Sequence, residues 1–106
     1  MSELVKVHRL AATLPDIEKY ELASQLRRAS KSIPANIAEG YAKRRSPKEF
    51  ISFLTNALGS ANEAEVHLDI AQQLGYATRE ECEELQQAYN VIGRQLTALI
   101  RSWQPR

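Results

Sequence analysis

The chain has 106 residues, with fourteen Lys or Arg against thirteen Asp or Glu and a formal net charge of +1. That length suits one domain (1–106) with a single core, small enough for self-association to help it. Cys82 is the only cysteine, which excludes an intramolecular disulfide and a thiolate metal cluster. No apolar run approaches the roughly 18 residues needed to span a bilayer. Lys6, His8 and Arg9 interrupt the N-terminal segment, so it does not read as a signal peptide, and the expected location is cytoplasmic.

Four helical segments follow in chain order. The first spans about Glu3 to Thr13 and stops at Leu14-Pro15, because a residue before proline is pushed out of the helical region. Asp16 is placed to cap the second, which runs to about Ala42. Its seam is Leu22, Leu26, Ala29, Ile33, Asn36 and Gly40, spaced alternately by four and three. Pro34 lies inside this helix, removing one amide donor and orphaning the carbonyl of Ser30, so a kink is expected. Asn36 on the seam either fixes helix register or bonds that freed carbonyl. Gly40 reads as a break.

Ser46-Pro47-Lys48-Glu49 starts the third helix with a hydroxyl cap, a first-turn proline and a glutamate able to reach back. Phe50, Leu54, Ala57, Ala61, Ala64, Leu68 and Ala71 form its seam. Gly75 supplies a left-handed stop, with Tyr76 placed for the accompanying hydrophobic contact. Thr78-Arg79-Glu80-Glu81 is a capping box for the fourth helix, whose seam is Cys82, Leu85, Tyr89, Ile92, Leu96, Leu99 and Trp103. No window alternates as a strand does. The fold class is all-α, an antiparallel up-down four-helix bundle with a shortened first helix.

Two strings carry a family resemblance. Gln25-Leu26-Arg27-Arg28-Ala29-Ser30, followed by Ser32-Ile33-Pro34-Ala35-Asn36-Ile37-Ala38-Glu39-Gly40, resembles the signature of bacterial 23S rRNA intervening-sequence proteins. Phe50, Phe53-Leu54, Ala57-Leu58-Gly59-Ser60 and Leu74-Gly75-Tyr76 extend the match, which runs from about Leu14 to about Trp103. The resemblance implies a small cytosolic four-helix bundle, often a pentameric ring, without known enzymatic activity. It also implies kinship with accessory variability proteins of diversity-generating retroelements, which share the bundle and bind nucleic acid. Members usually carry a longer first helix with an aromatic near its start, and this chain begins partway along it.

Charge is distributed unevenly. Residues 1–48 carry ten basic and five acidic side chains, whereas residues 49–106 carry four and eight. Arg27, Arg28, Lys31, Lys43, Arg44, Arg45 and Lys48 are the candidate nucleic-acid-binding residues, with Tyr41 beside them as a stacking ring. Like charges at i and i+3 or i+4 repel, and a phosphate backbone would relieve that repulsion while releasing counterions. The plain structural account is a solvated turn whose cations complement a helix C-terminus. Glu39 stands four residues before Lys43, as an intrahelical pair would. Glu80, Glu81, Glu83 and Glu84 suit the positive end of the fourth helix, or the arginines of a neighbouring copy.

No catalytic or metal-binding constellation emerges. His8 and His67 share no ligand spacing with Cys82 or with a carboxylate pair, and Glu63 with His67 is an ordinary helix-surface pair. No glycine-rich phosphate loop is present, so no cofactor is expected. The favoured reading is a non-enzymatic homo-oligomer that binds structured RNA or DNA through a basic surface. The alternative is an oligomeric protein-binding scaffold with no nucleic-acid role.

Overall fold

The helices of the computed structural model, which describes residues 2–12 and 17–105, are α1 (Ser2–Ala12), α2 (Ile17–Ala42), α3 (Pro47–Gln73) and α4 (Arg79–Trp103). α2 packs on α3, α3 on α4, and α1 on both α2 and α4, the neighbour pattern of an up-down bundle. The molecule is a rod of 47 × 20 × 20 Å. The Leu14-Pro15 stop and the Asp16 cap lie outside the described residues.

Local signals set the ends of α3 and α4. Ser46 is extended, and its hydroxyl accepts from the Glu49 amide at 3.3 Å. The expected return bond from Glu49 is replaced, since the Ser46 amide donates to the Lys43 carbonyl at 3.0 Å. Ser46→Ala is expected to cost about 1 kcal/mol, the usual worth of a capping hydroxyl. An unchanged melting temperature would place the start of α3 elsewhere. Thr78 forms the full box: its amide donates to Glu81 Oε1 at 3.1 Å, and its Oγ1 accepts from the Glu81 amide at 3.2 Å. At the other end of α3, Gly75 takes φ 72°, as only glycine does cheaply. The Tyr76 amide then bonds Ala71 O at 2.8 Å and the Gly75 amide bonds Gln72 O at 3.0 Å, a Schellman close. The Tyr76 ring contacts Ala23 of α2, with Lys19 Nζ 4.9 Å from its centroid.

The α3 seam is buried throughout, and its four alanines let the neighbouring helices approach closely. One cluster joins Val7 and Leu10 of α1 to Leu26, Ala29 and Ile33 of α2, Leu68 of α3, and Leu85 and Tyr89 of α4. A second joins Phe50, Leu54, Ala57 and Leu96, with Phe50 edge-on to Trp103 at 4.6 Å between centroids. Burial pushes the Tyr89 phenol up to about 12, and the Glu3 charge adds to it. An unfolded chain ionises that phenol near pH 10. Stability conferred by the neutral ring is therefore present below pH 10 and lost as pH rises from 10 towards 12. Alkaline melts of Tyr89→Phe are expected to lack this part of the decline.

Three expectations for α2 need correction. The helix continues through Gly40 to Ala42, so Gly40 is not a break. Its missing side chain instead admits α3, for a Cβ there would meet Phe53 Cβ at 2.9 Å and Phe50 Cδ1 at 3.1 Å. Asn36 does not serve the Ser30 carbonyl. Its Nδ2 donates to Ser32 O at 2.8 Å and to Ser32 Oγ at 2.9 Å, and Ser60 of α3 donates to the same Oγ at 2.8 Å. The polar link thus ties α2 to α3, consistent with a register role. Glu39 does not pair with Lys43, because α2 ends at Ala42 and the lysine instead lies 5.0 Å from the Phe53 ring centroid.

The fourth seam departs from expectation at its end. Leu99 is 38% exposed, as Ile37 of α2 is at 36%. Both line a mainly apolar groove of about 320 Å³ that also meets Leu4 near the start of α1. α1 is too short to cover this stretch, where α2 and α4 continue past it.

Candidate nucleic-acid interface

α2 carries the first basic group. Arg27 is half-buried, while Arg28 and Lys31 are exposed. Lys43, Arg44 and Arg45 form the turn after α2, and Lys48 lies in the first turn of α3; all four are exposed. Lys31 and Lys43 are twelve residues apart, so the groups are offset by about 18 Å of helical rise. The seven cations therefore make two patches on the bundle rather than one continuous surface.

Ion pairs do not neutralise either patch among the described residues. The pairs present are Lys6 with Glu84, Arg79 with Glu83 at 2.8 Å, and the looser His67–Glu63 contact at 3.7 Å. At the turn, the Arg44 guanidinium lies 4.0 Å from the Tyr41 ring centroid and donates to Tyr41 O at 2.9 Å. This fixes an exposed arginine–aromatic stack, a surface on which a base or phosphate can rest. Lys43 is held over Phe53, while Arg45 and Lys48 extend into solvent. The acids opening α4 are largely engaged within the chain: Glu81 in the cap, Glu83 on Arg79 and Glu84 on Lys6.

The first patch includes residues that the sequence did not reveal. His8 of α1 is close enough to Lys31 and Arg27 for their charges to act on it. Burial, then Lys31, then Arg27 hold its imidazole below the ordinary histidine range. The His8 Nε2 is buried and lacks a hydrogen-bond partner. His8, Arg9 and Lys31, with Leu4 and Val5, line an open cleft of about 460 Å³. No periodicity signals this meeting, because it depends on how α1 slides against α2.

Other reactive groups offer little chemistry. Burial pushes the Cys82 thiol up, helped by Glu81 and Asp69, so it is a poor thiolate. Among the described residues no three His, Cys, Asp or Glu are grouped to hold a metal ion. No described helix is long and apolar enough to cross a membrane.

Comparison with known proteins adds a family. The model of the 23S rRNA-intervening sequence protein family matches residues 1–98. A crystal structure from Bacteroides thetaiotaomicron, a protein with unknown function from the S23 ribosomal protein family, superposes with a TM-score of 0.84. The two are 31% identical, over 93% of this chain and 92% of that one. No curated protein matches.

Proposed function

Because the chain belongs to the 23S rRNA-intervening sequence protein family, we propose that it is a non-catalytic, self-associating bundle whose basic side binds the phosphates of structured RNA or duplex DNA. The observation that carries this reading is the set of seven cations that have no ion-pair partner among the described residues, together with the exposed Arg44–Tyr41 stack. Unpaired cations at neighbouring positions repel, and phosphates relieve that repulsion while releasing counterions. Sequence preference is weak in this reading, since such side chains contact backbone rather than base edges. Self-association multiplies the effect by displaying both patches on several copies. The opposed charge of the two halves of the sequence suits head-to-tail contacts that close into a ring, a pentamer in the reading drawn from the family resemblance.

The test is binding to an RNA hairpin and a DNA duplex at about 50 mM salt, where phosphate contacts are strong, with mass followed by light scattering. Micromolar affinity that falls steeply with salt is expected, on a species larger than one chain. Arg44→Glu with Arg45→Glu is expected to remove most of the affinity while leaving helix content and mass unchanged. Equal affinity in the double variant, or no binding by the parent protein, would end the nucleic-acid reading. A monomeric mass at tens of micromolar, the range of weak transient contacts, would end the self-association reading.

One observation favours a second reading, a protein-binding scaffold. The groove between α2 and α4 is mainly apolar, and apolar grooves are the surfaces on which amphipathic helices dock. Binding there would depend only weakly on salt, which separates it from phosphate binding.

A further inference from the structure

We propose that the cleft between α1 and α2 is a phosphate-binding site, formed by His8 and Arg9 of α1 with Lys31 of α2, the Arg27 charge lying close by. The proposal deepens the reading of the basic side as phosphate-binding by locating one seat for a phosphate and adding α1 to it.

Three observations converge on this cleft. First, the His8 Nε2 is buried and has no hydrogen-bond partner. Buried polar atoms in folded proteins usually have a partner, so this nitrogen leaves hydrogen-bonding capacity unspent beside the cleft. Second, the groups around it are cationic. Lys31 of α2 and Arg9 of α1 line the cleft beside His8, and the Arg27 charge also acts on the imidazole. Third, no carboxylate balances them. Among the described residues none of the three cations is in an ion pair, and on the α4 side of α1 Glu84 is engaged by Lys6. α3 lies diagonally across the bundle from α1 and contributes nothing to this cleft.

A tetrahedral oxyanion suits this cationic cleft. Its oxygens accept from the Arg9 guanidinium and the Lys31 ammonium, and its charge offsets their mutual repulsion and favours the charged form of the neighbouring imidazole. The cleft is open, and Leu4 and Val5 form its apolar side, so it admits a phosphate group with room for a continuing chain. Bound phosphate favours the imidazolium form of His8, and linkage then makes binding strengthen as pH falls. Without phosphate the sign is opposite. A histidine held below its ordinary 6.5 by burial, Lys31 and Arg27 costs the fold stability as pH falls through that value.

The experiment uses the full chain and the proton resonances of its two histidines. Sodium phosphate is added at constant ionic strength, with sodium chloride as the control. The His8 signals are expected to shift saturably and its pKa to rise, while His67 stays unmoved. Lys31→Gln and Arg9→Gln are exposed-site changes, each expected to weaken the apparent phosphate affinity about tenfold, the worth of one charge-assisted hydrogen bond. A short DNA duplex forms the second arm. If it moves the same His8 signals, the seat takes the phosphates of a polymer; if inorganic phosphate alone does so, it takes the free ion. Shifts that follow ionic strength alone, or a saturable shift untouched by both variants, would overturn the proposal. Inorganic phosphate needs no polymer, so this result stands apart from the fate of the nucleic-acid reading.

Discussion

Leu26→Ala is expected to destabilise the bundle by about 3 kcal/mol, within the range for truncating a fully buried leucine. Leu26 has no exposed surface and sits where all four helices meet, in the cluster with Val7, Leu10, Leu68, Leu85 and Tyr89. Its neighbours belong to separate helices braced by other contacts, so the space cannot close without moving a helix. For a domain of this size each kcal/mol lowers the melting temperature by roughly 4–8 °C, so the loss is expected to exceed about 10 °C. Leu74→Ala provides the contrast. That side chain is 57% exposed, and its removal is expected to change stability by less than about 0.5 kcal/mol. Similar losses at both positions in thermal or urea melts would contradict the packing described here.

Two glycines are expected to respond with opposite sign to the same substitution. Alanine in place of glycine inside a helix gains about 1 kcal/mol when nothing obstructs it. Gly59 is helical and exposed, with no atom within 4 Å of where an alanine Cβ would lie, so Gly59→Ala is expected to stabilise by most of that amount. At Gly40 the added carbon lies 2.9 Å from Phe53 Cβ, an atom next to the backbone that cannot swing aside. α2 and α3 must separate near their shared turn, and overpacking of this kind costs about 1–3 kcal/mol. Gly40→Ala is therefore expected to destabilise despite its better helix propensity. Urea denaturation of the two variants beside the parent settles the sign, and stabilisation by both would rule out the close approach at Gly40. The prediction also bears on the candidate interface, since this packing positions the Arg44–Tyr41 stack.

How much could be read from the sequence divides by the range of the signal. Caps are local chemistry, so Ser46, Thr78 and Gly75 are legible, whereas the return bond from Glu49 is not, because the preceding turn gives the Ser46 amide another acceptor. Seams follow from helical period, so every α3 seam position was identified. Period alone says nothing about what covers a seam, however. Leu99 keeps its place in the repeat but loses its cover because α1 is short. Gly40 illustrates a similar limit, since the sequence displays a helix-weakening residue but not the phenylalanines that need the space. The basic residues were legible as a run. Their separation into two patches follows from helical rise, and the meeting of His8 with Lys31 follows from the register between α1 and α2.

The mismatch in helix length also divides the bundle's cooperativity. α1 has 11 residues, whereas α2, α3 and α4 have 26, 27 and 25. Val7 and Leu10 are its buried anchors, and the Lys6–Glu84 pair is exposed. Lifting α1 away therefore sacrifices a small part of the core and leaves three long helices packed through the alanine seam of α3. Amide protons of α1 then exchange with solvent by a low-energy opening, while those at the centre of α3 await global unfolding. Any ligand that bridges α1 to α2 raises the lower of these two steps by mass action and slows exchange in α1 before exchange in α3 responds.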